Sequence, residues 1–215
     1  MVTNTSAWLQ NSNDMDLYDY RTTISIGFHG CSKETRDKLV LNPADIKISK
    51  EKYDWLGSGF YIWENNYTRA LEWAKDKQKR SKITDFNYEP SVVGVVYILG
   101  NCLDLTDSKY TEMLSSAYIG FKKYWKAFGL NIPKNKDPKN SVHHDLILRE
   151  KDCAVINYLN KTLESTRNDF DTIRGVFTEG GNIYPGAGIK IKTHTQICIR
   201  NLDCIKGFFI PRGEE

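Results

Sequence analysis

The sequence predicts a single-domain α+β protein with a largely antiparallel sheet. Its hydrophobic patterns run in the order strand, helices, strand, helix and then several short strands, which differs from the regular alternation of a parallel α/β fold. A length of 215 residues suffices for one domain with a substantial core and is short for two. Aromatic residues make up 12% of the chain and charged residues 27%, a composition typical of globular rather than disordered proteins.

The first half of the chain begins with a polar stretch, residues 1–20, interpreted as a lead-in to a domain covering 21–215. An alternating, β-branched pattern then predicts a strand that ends at His29-Gly30. A short helix is expected over 32–41. A loop interrupted by proline and glycine follows, and it leads to a helix over 65–79 with one apolar stripe.

The second half opens with a buried strand over 91–100, and β structure is expected to continue to residue 105. Asp107 is a good N-cap for a helix over about 108–128. Residues 141–165 are predicted to be mainly helical, so the stretch of about 107–165 is interpreted as a helical insert. Short strands are predicted at 173–178, 189–192, 195–199 and 204–210.

Several functional classes are disfavoured by composition. The net charge of +3 is too small to indicate nucleic-acid binding by itself. The five cysteines form no CxxC pair, and Cys and His do not cluster at ligand spacing, so we expect buried reduced thiols and no metal. Neither a signal peptide nor a membrane span is visible, and we therefore expect a cytoplasmic protein that does not contact membranes.

His29 and Gly30 form the first candidate binding feature. A lone histidine after apolar residues is more often a core residue than a functional one, but the neighbouring glycine changes that weighting. Without a Cβ, the backbone of Gly30 can approach a ligand and offer both N–H and C=O, which suits a carboxamide. The imidazole of His29 is then expected to donate a hydrogen bond to a ribose hydroxyl.

The segment from Gly57 to Tyr61, Gly-Ser-Gly-Phe-Tyr, is the second feature. It lacks the residues of a phosphate-binding loop. One interpretation is a tight turn that leads into a buried aromatic strand. The other is that Tyr61 stacks on a planar, electron-poor ring, with Tyr67 either as the opposite wall or as an exposed helix aromatic.

Together, the His-Gly pair, the Gly-x-Gly-aromatic-Tyr segment and the following Ala70-Leu71-Glu72-Trp73-Ala74 resemble ADP-ribosyltransferases of the diphtheria-toxin and poly(ADP-ribose)-polymerase type. The resemblance covers roughly 28–74 well and 173–210 moderately. It implies two packed, mostly antiparallel sheets with flanking helices and an NAD cleft between them. It also implies that His29 and Gly30 bind NAD, and that Tyr61 stacks on nicotinamide.

The third motif position of that family, usually Glu, falls on Gln196 in this chain. Glutamine can hydrogen-bond the ribose, but it brings no negative charge to a developing oxocarbenium ion. Glu179 is a candidate replacement carboxylate, although a solvated carboxylate in a turn is the more ordinary interpretation. Tyr184, in the loop that precedes the Gln196 strand, is a similar candidate for gripping the acceptor. His143-His144-Asp145 is interpreted as structural or capping, because adjacent residues point in different directions.

The function expected from the resemblance is mono-ADP-ribosylation. NAD would be the substrate and nicotinamide the leaving group, and the acceptor would be a protein or a nucleic acid. Such enzymes are often toxins or effectors. NAD glycohydrolase activity is a close alternative, and an inactive module that binds NAD or ADP-ribose is the alternative from a different class. RNA 2′-phosphotransfer ranks low because the sequence shows no concentrated arginine cluster.

Overall fold

The computed structural model describes residues 20–80, 88–139, 141–166 and 168–214. The predicted lead-in, apart from its last residue, lies outside these ranges. Within them the chain forms an α+β fold, as predicted. Its strands are β1 (Tyr20–Arg21), β2 (Ser25–Ser32), β3 (Phe60–Glu64), β4 (Pro90–Tyr97), β5 (Gly100–Asp104), β6 (Thr172–Phe177), β7 (His194–Ile199) and β8 (Ile205–Phe209). Its helices are α1 (Lys33–Leu41), α2 (Tyr67–Arg80), α3 (Ser108–Ala127) and α4 (Glu150–Glu164).

All of these strands belong to one mixed sheet in the order β1-β5-β6-β7-β3-β2-β4-β8, in which the short β1 extends the edge at β5. Neighbours are antiparallel except β5 and β6, which run parallel. The expectation of two packed sheets is not borne out. The reason is that β3 pairs with β2 on one side and with β7 on the other, which joins the two halves into a continuous sheet.

A local sequence signal explains the start of α3 but not the start of α4. The Asp107 side chain accepts a hydrogen bond from the Lys109 N–H, and this cap starts α3 where the sequence places it. The helix expected over 141–165 begins only at Glu150. The preceding residues take an irregular path in which Leu146 has a φ of +53°, a conformation that an α-helix excludes.

The two faces of the sheet carry different hydrophobic clusters. One face, here called the His29 face, packs Phe60, Ile62, Val93 and Ile197 against Leu39 of α1. The opposite face, here called the Tyr61 face, is covered in one part by α4 and in another by α2. All five cysteines are buried and free.

The C-terminal third differs from the sequence prediction in one place. Residues 189–192 do not form a strand, and the local pairing is a single bridge between Asn182 and Lys190. The segment between β6 and β7 is therefore a loop that folds back on itself. None of the helices in the described part of the chain is long and apolar enough to cross a membrane.

Candidate functional site

The sheet has a gap between β2 and β3. These strands pair only at Gly27 with Glu64 and at Phe28 with Trp63. The ladder stops before Gly30, although β2 continues to Ser32 and remains paired with β4 over its whole length. The two strands that carry the His-Gly and Gly-x-Gly-aromatic-Tyr motifs therefore separate where these motifs face each other. We call this opening the notch.

The backbone of Gly30 points into the notch. The carbonyl of Ile26 accepts a hydrogen bond from the N–H of Asn65, just after β3, so the polar groups of Ile26 face β3. Because backbone groups alternate sides along a strand, those of Phe28 and Gly30 face the same way. The ladder with β3 does not reach Gly30, so its N–H and C=O have no partner in that ladder, although the residue itself is buried. A carboxamide would need one such donor and one such acceptor together.

His29 closes one side of the notch. Its Nδ1 donates to the carbonyl oxygen of Tyr61 at 2.7 Å, and its ring lies 4.5 Å from the ring of Phe60, centroid to centroid. Burial lowers the pKa of His29 to about 4, against an opposing effect of the hydrogen bond to Tyr61. The ring is therefore neutral near pH 7 with its proton on Nδ1, and Nε2 is a hydrogen-bond acceptor. The expected donation from the imidazole to a ribose does not fit this arrangement, because the one N–H of the neutral ring is already held by the Tyr61 carbonyl.

A cavity of about 640 Å³ opens beside His29 on the His29 face. Its polar lining comes from α1 and the segment that follows, and it includes two carboxylates and two lysines, namely Glu34, Asp45, Lys38 and Lys47. His29 Nε2 is the ring atom left to interact with a ligand there, because Nδ1 is already committed to Tyr61.

Gly30 is also a packing residue. A Cβ at this position would lie 2.0 Å from the carbonyl oxygen of Ala70 and 3.3 Å from the backbone nitrogen of Ala74. Helix α2 thus packs against β2 at a distance that only glycine permits. The sequence pattern predicts that the missing Cβ lets a ligand approach the backbone. In the structure the space is taken by α2, and the part of Gly30 that is left for a ligand is its backbone edge.

Tyr61 extends from β3 onto the Tyr61 face, opposite to His29. Its hydroxyl donates to the carbonyl of Gly57 at 2.5 Å and accepts from the N–H of Leu56 at 2.9 Å. Burial raises the pKa of Tyr61 well above its usual value. The hydroxyl therefore fixes the preceding turn, and the partly exposed side chain packs against the hydrophobic cluster that α4 covers.

Tyr67, the first residue of α2, lies elsewhere on the same face. Among the described residues its ring contact is with Phe28, edge to face at 5.8 Å, rather than with Tyr61. Its hydroxyl donates to the carboxylate of Glu214 near the C-terminus. Burial and the Glu214 carboxylate raise the pKa of Tyr67 to about 12. The structure therefore does not place Tyr67 as a wall opposite Tyr61.

Gln196 lies on the Tyr61 face, close to the notch. It pairs with Trp63 on one side and with Gly175 on the other. Because cross-strand partners share a face, its side chain lies beside Trp63. The next pair along the two strands on this face is Tyr61 with Cys198. Gln196 is partly exposed on this face.

Glu179 is buried, with 6% of its surface exposed, so the interpretation as a solvated turn carboxylate is wrong. It forms a hydrogen-bonded ion pair with Arg69 of α2, and its Oε1 lies 3.9 Å from His194 Nδ1. In this arrangement the carboxylate is committed to Arg69. It can act on a ligand only if that ion pair opens.

Sequence reasoning missed the group around His194. Trp55, Trp63 and Phe177 surround this buried ring at centroid distances of 6.0, 6.4 and 6.0 Å. Arg149 stacks over Trp55, with its guanidinium carbon 4.4 Å from the ring centroid. These residues come from distant parts of the chain, and none belongs to a recognisable motif.

The loop between β6 and β7 is fixed by Asp145. Its carboxylate accepts from the N–H of Gly180 and pairs with the Lys190 ammonium at 2.7 Å. This supports the structural interpretation of the His143-His144-Asp145 segment. Tyr184, in the middle of the loop, is 60% exposed. Within the described ranges, no group of three or more His, Cys, Asp or Glu side chains is arranged to hold a metal ion.

Comparisons with models of known families, with curated proteins and with solved structures found no match. The functional argument therefore rests on the motifs and on the geometry described above.

Proposed function

We propose that the protein is a mono-ADP-ribosyltransferase with an ADP-ribosyltransferase-like fold. It would cleave NAD and transfer ADP-ribose to a macromolecular acceptor. The observation that carries the proposal is the notch at Gly30, where the β2–β3 ladder stops between the two motifs that the resemblance identifies. A splayed strand pair bordered by a glycine edge, a neutral histidine and a tyrosine ring suits an elongated ligand with a carboxamide-bearing ring.

In the proposed complex, nicotinamide lies in the notch. Its amide pairs with the N–H and C=O of Gly30, and its ring stacks on Tyr61. A ribose hydroxyl donates to His29 Nε2, because Nδ1 is held by the Tyr61 carbonyl. The side chains of His29 and Tyr61 leave the sheet on opposite faces, so the ligand passes through the notch and does not lie on one face.

The reaction breaks the bond between the nicotinamide nitrogen and ribose C1′, and the bonding electron pair leaves with nicotinamide. The acceptor nucleophile forms the new bond to C1′ and loses its proton. An oxocarbenium-like transition state gains most from fixed dipoles and hydrogen bonds. Gln196 would orient the ribose. Glu179 would contribute negative charge only after release from Arg69.

A catalytically inactive NAD-binding module is the second candidate. It is favoured by a specific observation: the position beside Trp63 holds the neutral Gln196, and the nearby Glu179 is neutralised by Arg69. A pocket of this kind binds NAD without stabilising positive charge on the ribose.

Nicotinamide release from NAD tests the proposal. The purified protein is assayed with and without cell lysate, beside His29→Ala. His144→Ala is the matched control, since the His144 side chain is 97% exposed. Release that requires His29 and rises with lysate supports a transferase. Nicotinamide release that does not depend on lysate indicates a glycohydrolase, in which water is the acceptor. NAD binding without nicotinamide release would favour the inactive binding module.

A further inference from the structure

Buried polar atoms without hydrogen-bond partners are concentrated at one place in this fold. Six such side-chain atoms occur among the described residues, and five belong to four residues around the His194 ring. They are Trp63 Nε1, Arg69 Nε and Nη1, Arg149 Nε and His194 Nε2. Native proteins pair nearly all buried polar groups, so a concentration of this kind requires an explanation.

The unpaired atoms are mainly donors. Guanidinium and indole nitrogens can only donate, which leaves four donor nitrogens without a hydrogen-bond acceptor among the described residues. Glu72 forms an ion pair with Arg69 Nη1 at 3.6 Å, a distance too long for a hydrogen bond. His194 Nδ1 donates to the Lys192 carbonyl at 2.7 Å, so Nε2 of the neutral ring is an acceptor. The group thus offers several donors and one acceptor.

Phosphate has the complementary chemistry. Its oxygens accept from several donors at once, and arginine binds it through two parallel N–H···O bonds. A hydroxyl next to the phosphate, as in a ribose phosphate, would supply the donor for His194 Nε2. The surrounding Trp55 and Trp63 rings provide apolar walls of the kind that a sugar or a base contacts.

An anionic group already occupies this place, namely the Glu179 carboxylate. It satisfies one nitrogen of Arg69, Nη2, and leaves Nε and Nη1 unpaired. Glu179 lies in the loop just after β6, and its single carboxylate leaves the other donors without a partner. Arg149, whose side chain is 20% exposed, is where this group of residues meets solvent.

We infer that Arg69, Arg149, Trp63 and His194 form a phosphate-binding site whose ligand displaces the Glu179 carboxylate. The site adjoins Gln196, which pairs with Trp63 and follows His194 by two residues. Phosphate binding itself is independent of the proposed function. Its use in catalysis rests on that function, and the phosphate belongs either to NAD or to a nucleic-acid acceptor.

Binding of inorganic pyrophosphate, measured by calorimetry and by tryptophan fluorescence, tests the inference. Glu179→Gln removes the competing charge and should tighten binding several-fold. Trp63→Phe removes one unpaired N–H and should weaken binding about tenfold. Because it also replaces a large buried ring by a smaller one, it should lower Tm, and binding is therefore compared well below the Tm of the variant. Arg69→Gln combined with Glu179→Gln avoids an unpaired buried carboxylate and should abolish binding. Arg212→Gln, at an exposed position, is the control that should bind as the wild type does.

Failure of pyrophosphate to bind to wild type and to Glu179→Gln would overturn the inference. A loss of binding in Arg212→Gln as large as that in the site variants would also overturn it. Competition by ADP-ribose would identify the phosphate of the dinucleotide. Binding of a 5′-phosphorylated oligonucleotide to protein saturated with ADP-ribose would identify the acceptor. His29→Ala separates the two proposals, because it should lose NAD cleavage and keep pyrophosphate binding.

Discussion

Replacing Gly30 with alanine separates packing from ligand binding at the centre of the proposed site. The added Cβ would lie 2.0 Å from the Ala70 carbonyl oxygen and 3.0 Å from the Ala70 carbonyl carbon. Both atoms belong to the backbone of α2, so no side-chain rotation relieves the clash. The helix must move away from the sheet by roughly 1 Å or more to restore normal contact distances.

Overpacking of a well-packed core typically costs about 1–3 kcal/mol, and a backbone clash belongs at the upper end, so about 3 kcal/mol is expected here. For a domain of this length, each kcal/mol lowers Tm by about 2–4 °C. Gly30→Ala should therefore unfold about 6–12 °C below the wild type.

Thermal and urea unfolding followed by circular dichroism measure this difference. Gly207→Ala is the matched control in a strand, because a Cβ there meets nothing within 4 Å. It should change the free energy of unfolding by no more than about 0.5 kcal/mol. An unchanged Tm for Gly30→Ala, equal to that of Gly207→Ala, would refute the claim that α2 packing requires glycine at position 30.

Three further substitutions make distinct predictions. Tyr61→Phe should lose about 1–3 kcal/mol of stability in urea unfolding, since the Gly57 carbonyl loses its hydroxyl donor, yet keep its affinity for nicotinamide; a lost affinity would contradict stacking by the ring alone. For Glu214, burial acts to raise the pKa, but hydrogen bonds, including one from Tyr67, outweigh it and lower the pKa. The ionised carboxylate therefore adds to the free energy of unfolding above the ordinary glutamate pKa, and this contribution is lost as pH falls through the folded value. Glu214→Gln should be less stable than the wild type at neutral pH, and its stability should fall less in acid. Burial lowers the pKa of His29 from 6.5 to about 4. The neutral imidazole therefore adds about 3 kcal/mol at most to the free energy of unfolding, and this contribution is lost as pH falls between these two values. His29→Gln should flatten that part of the stability profile, and an unaltered profile would show that His29 is not buried in its neutral form.

Elements with strong local signals could be predicted from the sequence. The Asp107 cap and the apolar period after it locate α3, and the alternating pattern before His29 locates β2. The sequence pattern predicts a helix from residue 141, whereas α4 begins at Glu150. The residues before it contain Asp145, whose contacts with Gly180 and Lys190 lie 35 and 45 positions away and override local helical character.

The pairing of strands in the sheet could not be predicted from local sequence patterns. Strand β3 covers only Phe60–Glu64, and its pairing with both β2 and β7 determines that one sheet forms instead of two. Strand pairing depends on contacts across the whole chain, which hydrophobic periodicity does not encode. The notch itself is a break in pairing, so it has no signature in the sequence beyond the motifs on its two sides.

The residues of the candidate site that belong to short motifs could be predicted from the sequence, and the other residues could not. His29, Gly30 and Tyr61 were identified from short patterns, and the structure brings them together. The partner of Glu179 was not identifiable, because Arg69 lies 110 positions earlier and resembles any helix arginine. Burial of that ion pair, and of the His194 ring beside it, depends on how α2 packs on the sheet.

The most direct test of the central claim observes the Gly30 amide during ligand binding. His29 is the one histidine followed by glycine in this sequence, so labelling histidine carbonyls with ¹³C and glycine amides with ¹⁵N marks a single N–H by NMR. The account predicts that this amide shifts saturably when nicotinamide or NAD is added, because its N–H donates to the carboxamide. A Gly30 amide that stays unmoved while NAD binds elsewhere, or while no NAD binds at all, would contradict the assignment of the notch as the nicotinamide site.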